Sequence, residues 1–244
     1  MTSKRPPRFF VPSAAITGER ALLRGAERHH LRVRRLRPGA RIELFDDLGR
    51  IFEAVVNGVT DEQIELTVNE RHARDRESPL DLTLAIAVLK ADKIDLVVEK
   101  ATELGVAHIV VFTCRRALGG SGRARFERWQ RIAVSAAKQC GRRLIPDIEG
   151  PEPLSRVAER SADLKLVCWE DAAAAGGLPP GGASSVLLAV GPEGGFTIDE
   201  IAGLQRAGFH AVSLGPRILR GETAAIAGAA IVQQRWGDLG ARLA

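Results

Sequence analysis

The chain has 244 residues but no tyrosine, one methionine, three cysteines and only six lysines. Aromatic residues make up 5% of it, too few for the row of stacking rings that generic single-strand binders build. Cys114, Cys140 and Cys168 are odd in number and far apart, with no CxxC pair. A disulfide framework and a structural zinc site are therefore excluded, and no metal is expected. No segment approaches the roughly 18–20 apolar residues of a membrane span. The start, MTSKRPPRFFVPS, is basic but lacks an apolar run, so no secretory signal and a cytoplasmic location are expected. GxxxxGK[ST], GxSxG and HExxH are all missing, and Gly119-Gly120-Ser121-Gly122 lacks the third glycine and flanking strand of a dinucleotide fingerprint. His29 and His30 are adjacent and cannot share a helix face, while His72, His108 and His210 stand alone. Redox, metal and P-loop chemistry recede.

What the chain does have is arginine, 29 of its 35 basic residues, and it is clustered. Residues 1–41 carry a local +9 and residues 115–143 a local +8, against a net of +5 for the whole. The rest of the chain is thus acidic. Basic stretches segregated on an acidic protein point to a polyanionic partner, and arginine is the better fork for phosphate. A GC-rich genome would explain arginine over lysine, but not the clustering. A structured RNA read by shape fits the low aromatic content.

Two rhythms divide the chain. In the first, Phe9–Val11 is extended, Glu27–Arg35 is a candidate helix, and short alternating strands follow around Ile42–Leu44, Ile51–Val56 and Ile64–Val68. Such strands with Gly/Asp turns predict a small barrel or sandwich. Arg71–Pro79, charged and ending in proline, reads as a linker. The second rhythm alternates strands and helices. Strands are expected at Leu82–Leu89, His108–Phe112, Leu164–Trp169, Ser185–Val190 and Ala211–Leu214. Helices are expected at Ile94–Leu104, Phe126–Cys140, Thr197–Ala207 and Glu222–Trp236. That is an α/β domain with a mainly parallel sheet. The expected division is 1–73 and 74–244.

Two loops stand at predicted strand ends, where open α/β sheets bind ligands. One is Gly191-Pro192-Glu193-Gly194-Gly195-Phe196. The other runs Leu214-Gly215-Pro216-Arg217-Ile218-Leu219-Arg220-Gly221-Glu222-Thr223-Ala224-Ala225 into the last helix. Glycines let a ligand approach the backbone closely. Each loop alone also reads as a structural turn, and Gly221-Glu222-Thr223 as a helix start. Two such loops at neighbouring strand ends favour a site.

GPEGGF followed by LGPRILRGETAA resembles the RsmE group of SPOUT methyltransferases. Lys90–Val106 (KADKIDLVVEKATELGV) and Arg128–Pro146 (RWQRIAVSAAKQCGRRLIP) are similar to further stretches of that family, as are Arg8–Val11 and His29–Arg35. The resemblance covers nearly the whole chain. One departure is Thr113-Cys114-Arg115-Arg116, where the family more often has an Arg-Ser pair; Arg115 keeps the arginine role and Arg116 has none assigned. The resemblance implies S-adenosylmethionine as cofactor and methylation of N3 of uracil 1498 in 16S ribosomal RNA, free or in the small subunit. It implies a PUA-like RNA-binding barrel, a deep trefoil knot from about Leu164 onward, and a homodimer packed through Glu222–Trp236.

Carried onto this sequence, the cofactor contacts are Val190, Gly191, Pro192, Glu193, Gly194, Leu214, Gly215, Ile218, Leu219, Arg220, Thr223 and Ala224. Thr223 has a second reading as a helix cap, and Trp169-Glu170 is a weaker candidate for a third loop. Arg220 is the candidate for stabilising charge on the uracil oxygens. Glu193 either accepts the N3 proton, orients the site, or forms a salt bridge that shapes its own loop. Arg8, Arg32, Arg34, Arg35, Arg115, Arg142 and Arg143 are candidates for phosphate contact, which positions more than it specifies. Two rivals remain: a catalytically idle RNA-binding or ribosome-assembly factor, and an enzyme of the same fold acting at another RNA position.

Overall fold

The computed structural model describes residues 6–24, 36–71, 76–117, 123–171 and 177–240. The chain forms two compact units: Met1–Glu77 with Ala137–Ile145, and Ser78–Ala136 with Pro146–Ala244. The expected helix over 27–35, with Arg32, Arg34 and Arg35, lies outside the described residues.

The first unit is one curled six-stranded sheet. Its strands are β1 (Arg8–Phe10), β2 (Ile16–Thr17), β3 (Arg20–Leu23), β4 (Arg41–Phe45), β5 (Ile51–Val59) and β6 (Ile64–Arg71), in the order β1-β4-β5-β6-β3-β2. Only the β1–β4 pair is parallel. In β6 every second residue from Ile64 to Val68 is buried, the period-two pattern that a one-sided strand requires. Phe9, Leu23, Leu44, Phe52, Val56 and Leu66 fill the core. Glu77, expected in a linker, is instead an anchor. Its carboxylate accepts from Arg142 Nε at 2.9 Å and from the backbone N–H groups of Arg143 and Leu144 at 2.9 and 3.2 Å.

The second unit is an all-parallel sheet with helices. Its strands are β7 (Asp81–Ala87), β8 (His108–Thr113), β9 (Asp147–Pro153), β10 (Leu164–Cys168), β11 (Ser185–Val190) and β12 (Phe209–Val212), ordered β12-β10-β11-β7-β8-β9. The helices are α1 (Ala91–Glu103), α2 (Arg123–Cys140), α3 (Leu154–Glu159), α4 (Ile198–Arg206) and α5 (Gly221–Trp236). The central strands β7 and β11 are buried on both faces over four or five consecutive residues, which is why they read as unbroken apolar runs. α1 buries Ile94, Val97, Val98 and Ala101 and ends before Gly105, at φ +79°, the left-handed residue that closes a helix without a Cβ penalty.

Four of these elements escaped the sequence: β2, β3, β9 and α3. β9 reads DIEGPEP, which no strand propensity supports, but it lies at the sheet edge, where proline's missing N–H faces no partner. α3 follows it directly. The last strand is also displaced: Ser213 and Leu214, expected in it, belong to the loop beyond.

Just before β10, Asp163 reaches the start of β11, accepting from Ser184 Oγ at 2.6 Å and from the backbone N–H groups of Ser184 and Ser185 at 3.0 and 2.9 Å. The Ser184 hydroxyl first, then these N–H groups, hold its pKa down to about 2, from 3.8. A depressed carboxylate stabilises the fold above its unfolded pKa, and that contribution is lost as pH falls through the folded value. Asp163→Asn should therefore flatten the decline of Tm between about pH 4 and pH 2, read by thermal melts across that window.

Candidate functional site

Three loops leave the carboxyl ends of β10, β11 and β12 and line one pocket. The first supplies Cys168, Trp169 and Glu170. The second supplies Val190, Gly191, Pro192, Glu193, Gly195 and Phe196. The third supplies Ser213, Leu214, Gly215, Arg217, Ile218, Leu219, Gly221 and Ala224. Nine of the twelve expected cofactor residues are brought together here: Val190, Gly191, Pro192, Glu193, Leu214, Gly215, Ile218, Leu219 and Ala224. Gly194, Arg220 and Thr223 do not line it. The Trp169-Glu170 loop, the weaker candidate, does.

Local chemistry explains why the second loop can line a pocket. Gly195 has φ +68° and closes a turn from its N–H to the Pro192 carbonyl at 2.9 Å. A Cβ there would meet the Glu170 carboxylate at 2.8 Å, and one at Gly191 would meet the Phe196 ring at 3.0 Å. The loop then enters α4 through a capping box: Thr197 accepts from the Glu200 N–H, and Glu200 accepts from the Thr197 N–H. In the third loop Arg220 is the N-cap of α5 with no side-chain capping bond. It is exposed, sits between the lining residues Leu219 and Gly221, and makes no ion pair among the described residues.

Glu193 is engaged. Its Oε1 accepts from Lys93 Nζ at 3.2 Å, and Lys93 also reaches Glu222 at 3.5 Å. Partial burial pulls the Glu193 pKa up, but its own backbone N–H, Lys93 and the Lys90 N–H outweigh it and hold the carboxyl below its ordinary value. A carboxylate held low is a weak proton acceptor. Of the readings open for Glu193, the geometry favours the loop-shaping ion pair. Lys93, on α1, thereby ties the second and third loops together, a role its sequence neighbourhood did not reveal. Lys93→Met leaves Glu193 and Glu222 facing each other without a cation. The KM for the small ligand should rise about tenfold with kcat little changed, measured by initial rates.

The candidate phosphate contacts fare unevenly. Arg8 and Arg142 are corrected. The Arg8 side chain is 9% exposed, pairs with Glu43 at 2.8 Å and lies 4.3 Å over the Phe45 ring. Burial, only partly opposed by Glu43, lowers its pKa. Arg142 is 6% exposed and pairs with Glu77 at 2.9 Å. Both charges face inward, so neither is available to phosphate. Arg143 is half-buried, with its guanidinium 3.5 Å from the Gly49 carbonyl. Arg115 is exposed and only loosely paired with Asp199, at 3.8 Å. On α2, Arg128 and Arg131 are exposed, one turn apart.

A parallel α/β sheet with a glycine-lined pocket at its strand ends, and arginines exposed nearby in the same unit, suits transfer chemistry on a nucleic acid. Residues 76–233 match the RNA methyltransferase domain family and residues 23–69 the RNA methyltransferase PUA domain. The class is RNA methyltransferase. The chain is 33% identical, over 93% of its length and 92% of the relative's, to ribosomal RNA small subunit methyltransferase E of Mycobacterium bovis. Among solved structures, the same enzyme from Neisseria gonorrhoeae bound to S-adenosyl methionine superposes with TM-score 0.89 at 33% identity, covering 96% of this chain and 99% of that one. A methyltransferase from Legionella pneumophila in complex with the bound cofactor SAM gives 0.90 at 32%, covering 97% and 100%. The chain belongs to the ribosomal RNA small subunit methyltransferase E family.

Proposed function

We propose that the chain methylates N3 of a uridine, uracil 1498, in 16S ribosomal RNA, with S-adenosylmethionine as donor. The observation that carries this reading is the composition of the pocket. Leu214, Leu219, Ala224 and Val190 offer apolar faces for adenine, and the glycine backbone offers N–H and C=O groups for its edge. With Glu193 already paired to Lys93, the Glu170 carboxylate faces Arg217 across the lining. A carboxylate there suits a cationic sulfonium. S-adenosylmethionine, when bound, supplies an electrophilic methyl carbon.

The protein's own tasks are then position and charge. Holding N3 in line with the methyl carbon gives most of the acceleration, on the order of several kcal/mol. With the donor bound, N3 would take the methyl group as its proton passes to solvent water, and the chain's own residues would position that exchange. Arg220, exposed at the pocket edge and without an ion-pair partner among the described residues, stabilises the negative charge that develops on the uracil oxygens. Glu193, fixed by Lys93, orients the loop. Val190, Gly191, Pro192, Leu214, Gly215, Ile218, Leu219 and Ala224 hold the donor. Residues 1–73 bind RNA and 74–244 carry catalysis, with Arg32, Arg34, Arg35, Arg115 and Arg143 left as phosphate contacts. A cytoplasmic location goes with this substrate.

Convergence of the loops after β10, β11 and β12 on one pocket supports a knot threaded from about Leu164 onward. α5 is apolar nearly all round, GETAAIAGAAIVQQRW, yet Ile231 is 39% exposed. A helix of that kind needs cover on every face, and a second copy of the chain supplies it. Ile231→Glu should convert a dimer to a monomer, read by light scattering.

The test is methyl transfer from labelled S-adenosylmethionine to small ribosomal subunits lacking the modification, followed by nucleoside mass analysis. A 3-methyluridine product is expected. Donor binding with a methyl group found elsewhere would move the target atom. Neither binding nor transfer would favour the idle assembly factor.

A further inference from the structure

We propose that Arg116 is a positioning residue for the methyl-donor site, setting the Gly191–Phe196 loop through the carbonyl of Gly194. The inference rests on the donor-site reading above and goes beyond it. Arg116 Nη1 donates to the Gly194 carbonyl oxygen at 2.9 Å. The stem of the same side chain covers Gly194, so a Cβ at that glycine would lie 3.3 Å from Arg116 Cβ and 3.5 Å from its Cδ. One side chain thus both bonds and covers the middle of the loop.

Its neighbour grips the loop's far end. The Arg115 N–H donates to Glu200 Oε1 at 2.8 Å. Glu200 Oε2 meanwhile accepts from the Thr197 N–H at 2.8 Å and from Thr197 Oγ1 at 3.0 Å. The segment that does this is itself a closed turn, with the Ala117 N–H donating to the Cys114 carbonyl at 3.1 Å. The exit of β8 therefore holds the loop at Gly194 and at Thr197.

The loop needs such an external hold. Three of its six residues are glycine, and glycine surrenders more conformational freedom on ordering than any other residue. Its own turn, Gly195 to Pro192, leaves the Gly194 carbonyl unsatisfied from within, and a charged donor fills that place. Gly194 does not line the pocket, but Glu193 and Gly195 on either side of it do. A shift of the Gly194 carbonyl would carry both lining residues with it.

The experiment is calorimetric titration of S-adenosylmethionine into wild type, Arg116→Ala and Arg116→Lys, with melting temperatures and saturating-donor kcat for each. Arg116→Ala should weaken donor binding about tenfold and raise its KM in step, with Tm and kcat near wild type; Arg116→Lys, which still donates to a carbonyl, should recover most of the affinity. Equal affinity in wild type and Arg116→Ala would overturn the proposal. A joint fall of affinity and Tm that lysine does not rescue would also overturn it, by making the contact merely structural. Absence of binding in the wild type itself would remove the donor-site reading instead.

Discussion

Replacing Arg220 by alanine should lower kcat about 10²–10³-fold while leaving the affinity for S-adenosylmethionine within a few-fold of wild type. The split follows from place. Arg220 sits beside the pocket rather than in its lining, between Leu219 and Gly221, and holds the N-cap of α5 through its backbone only. Its carbonyl accepts the Ala224 N–H at 2.8 Å, a bond that alanine keeps. The helix start and the donor pocket should therefore survive, and the loss falls on charge developing in the acceptor base. The pH profile provides a second signature. In the proposed role Arg220 lowers the cost of removing the N3 proton, so the wild-type rate should level off at a lower pH than the variant's. The Arg220→Ala rate should keep climbing with pH after the wild type has reached its plateau. An unchanged kcat, or a loss confined to donor KM, would remove Arg220 from the chemistry.

Much of this site was legible because its chemistry is local in sequence. GPEGGF and LGPRILRGETAA are continuous loops, and buried parallel strands announce themselves as apolar runs such as Ser185–Val190. What escaped is what sequence distance hides. Lys93 lies 100 residues from Glu193 in sequence, and Arg116 lies 78 from Gly194. Periodicity relates residues three or four apart on a helix, not partners across a sheet. Direction was hidden too. Arg8 and Arg142 carry the same charge as Arg115, but a glutamate placed by another strand or turn brings each of them inside. β9 was missed for a third reason: an edge strand tolerates the prolines and glycine that argue against strand elsewhere. There Gly150, at φ +102°, approaches the Val111 carbonyl so closely that no side chain fits.

Phe196→Ala should show how tightly loop and core are joined. The Phe196 ring is 5% exposed and stacks on Phe112 of β8, with centroids 6.1 Å apart and planes 6° from parallel. It belongs to a core cluster with Val110, Leu187, Ala189, Ile201 and Leu204. Truncation of so buried an aromatic costs about 3–5 kcal/mol from lost transfer and the cavity left behind. For a chain of this size that is roughly 10 °C of Tm. The same ring packs against Gly191, where any Cβ would already meet it at 3.0 Å, so the donor loop loses its floor as the core loses its plug. Phe196→Leu separates the two effects. Leucine refills much of the volume and should restore most of the Tm. It offers no flat face to Phe112 and Gly191, so donor KM should stay several-fold above wild type. If leucine restored KM and Tm together, the ring would be filling space only. If KM stayed high while Tm recovered, the planar contact would be setting the loop's geometry, which is the result expected from a pocket built on backbone groups.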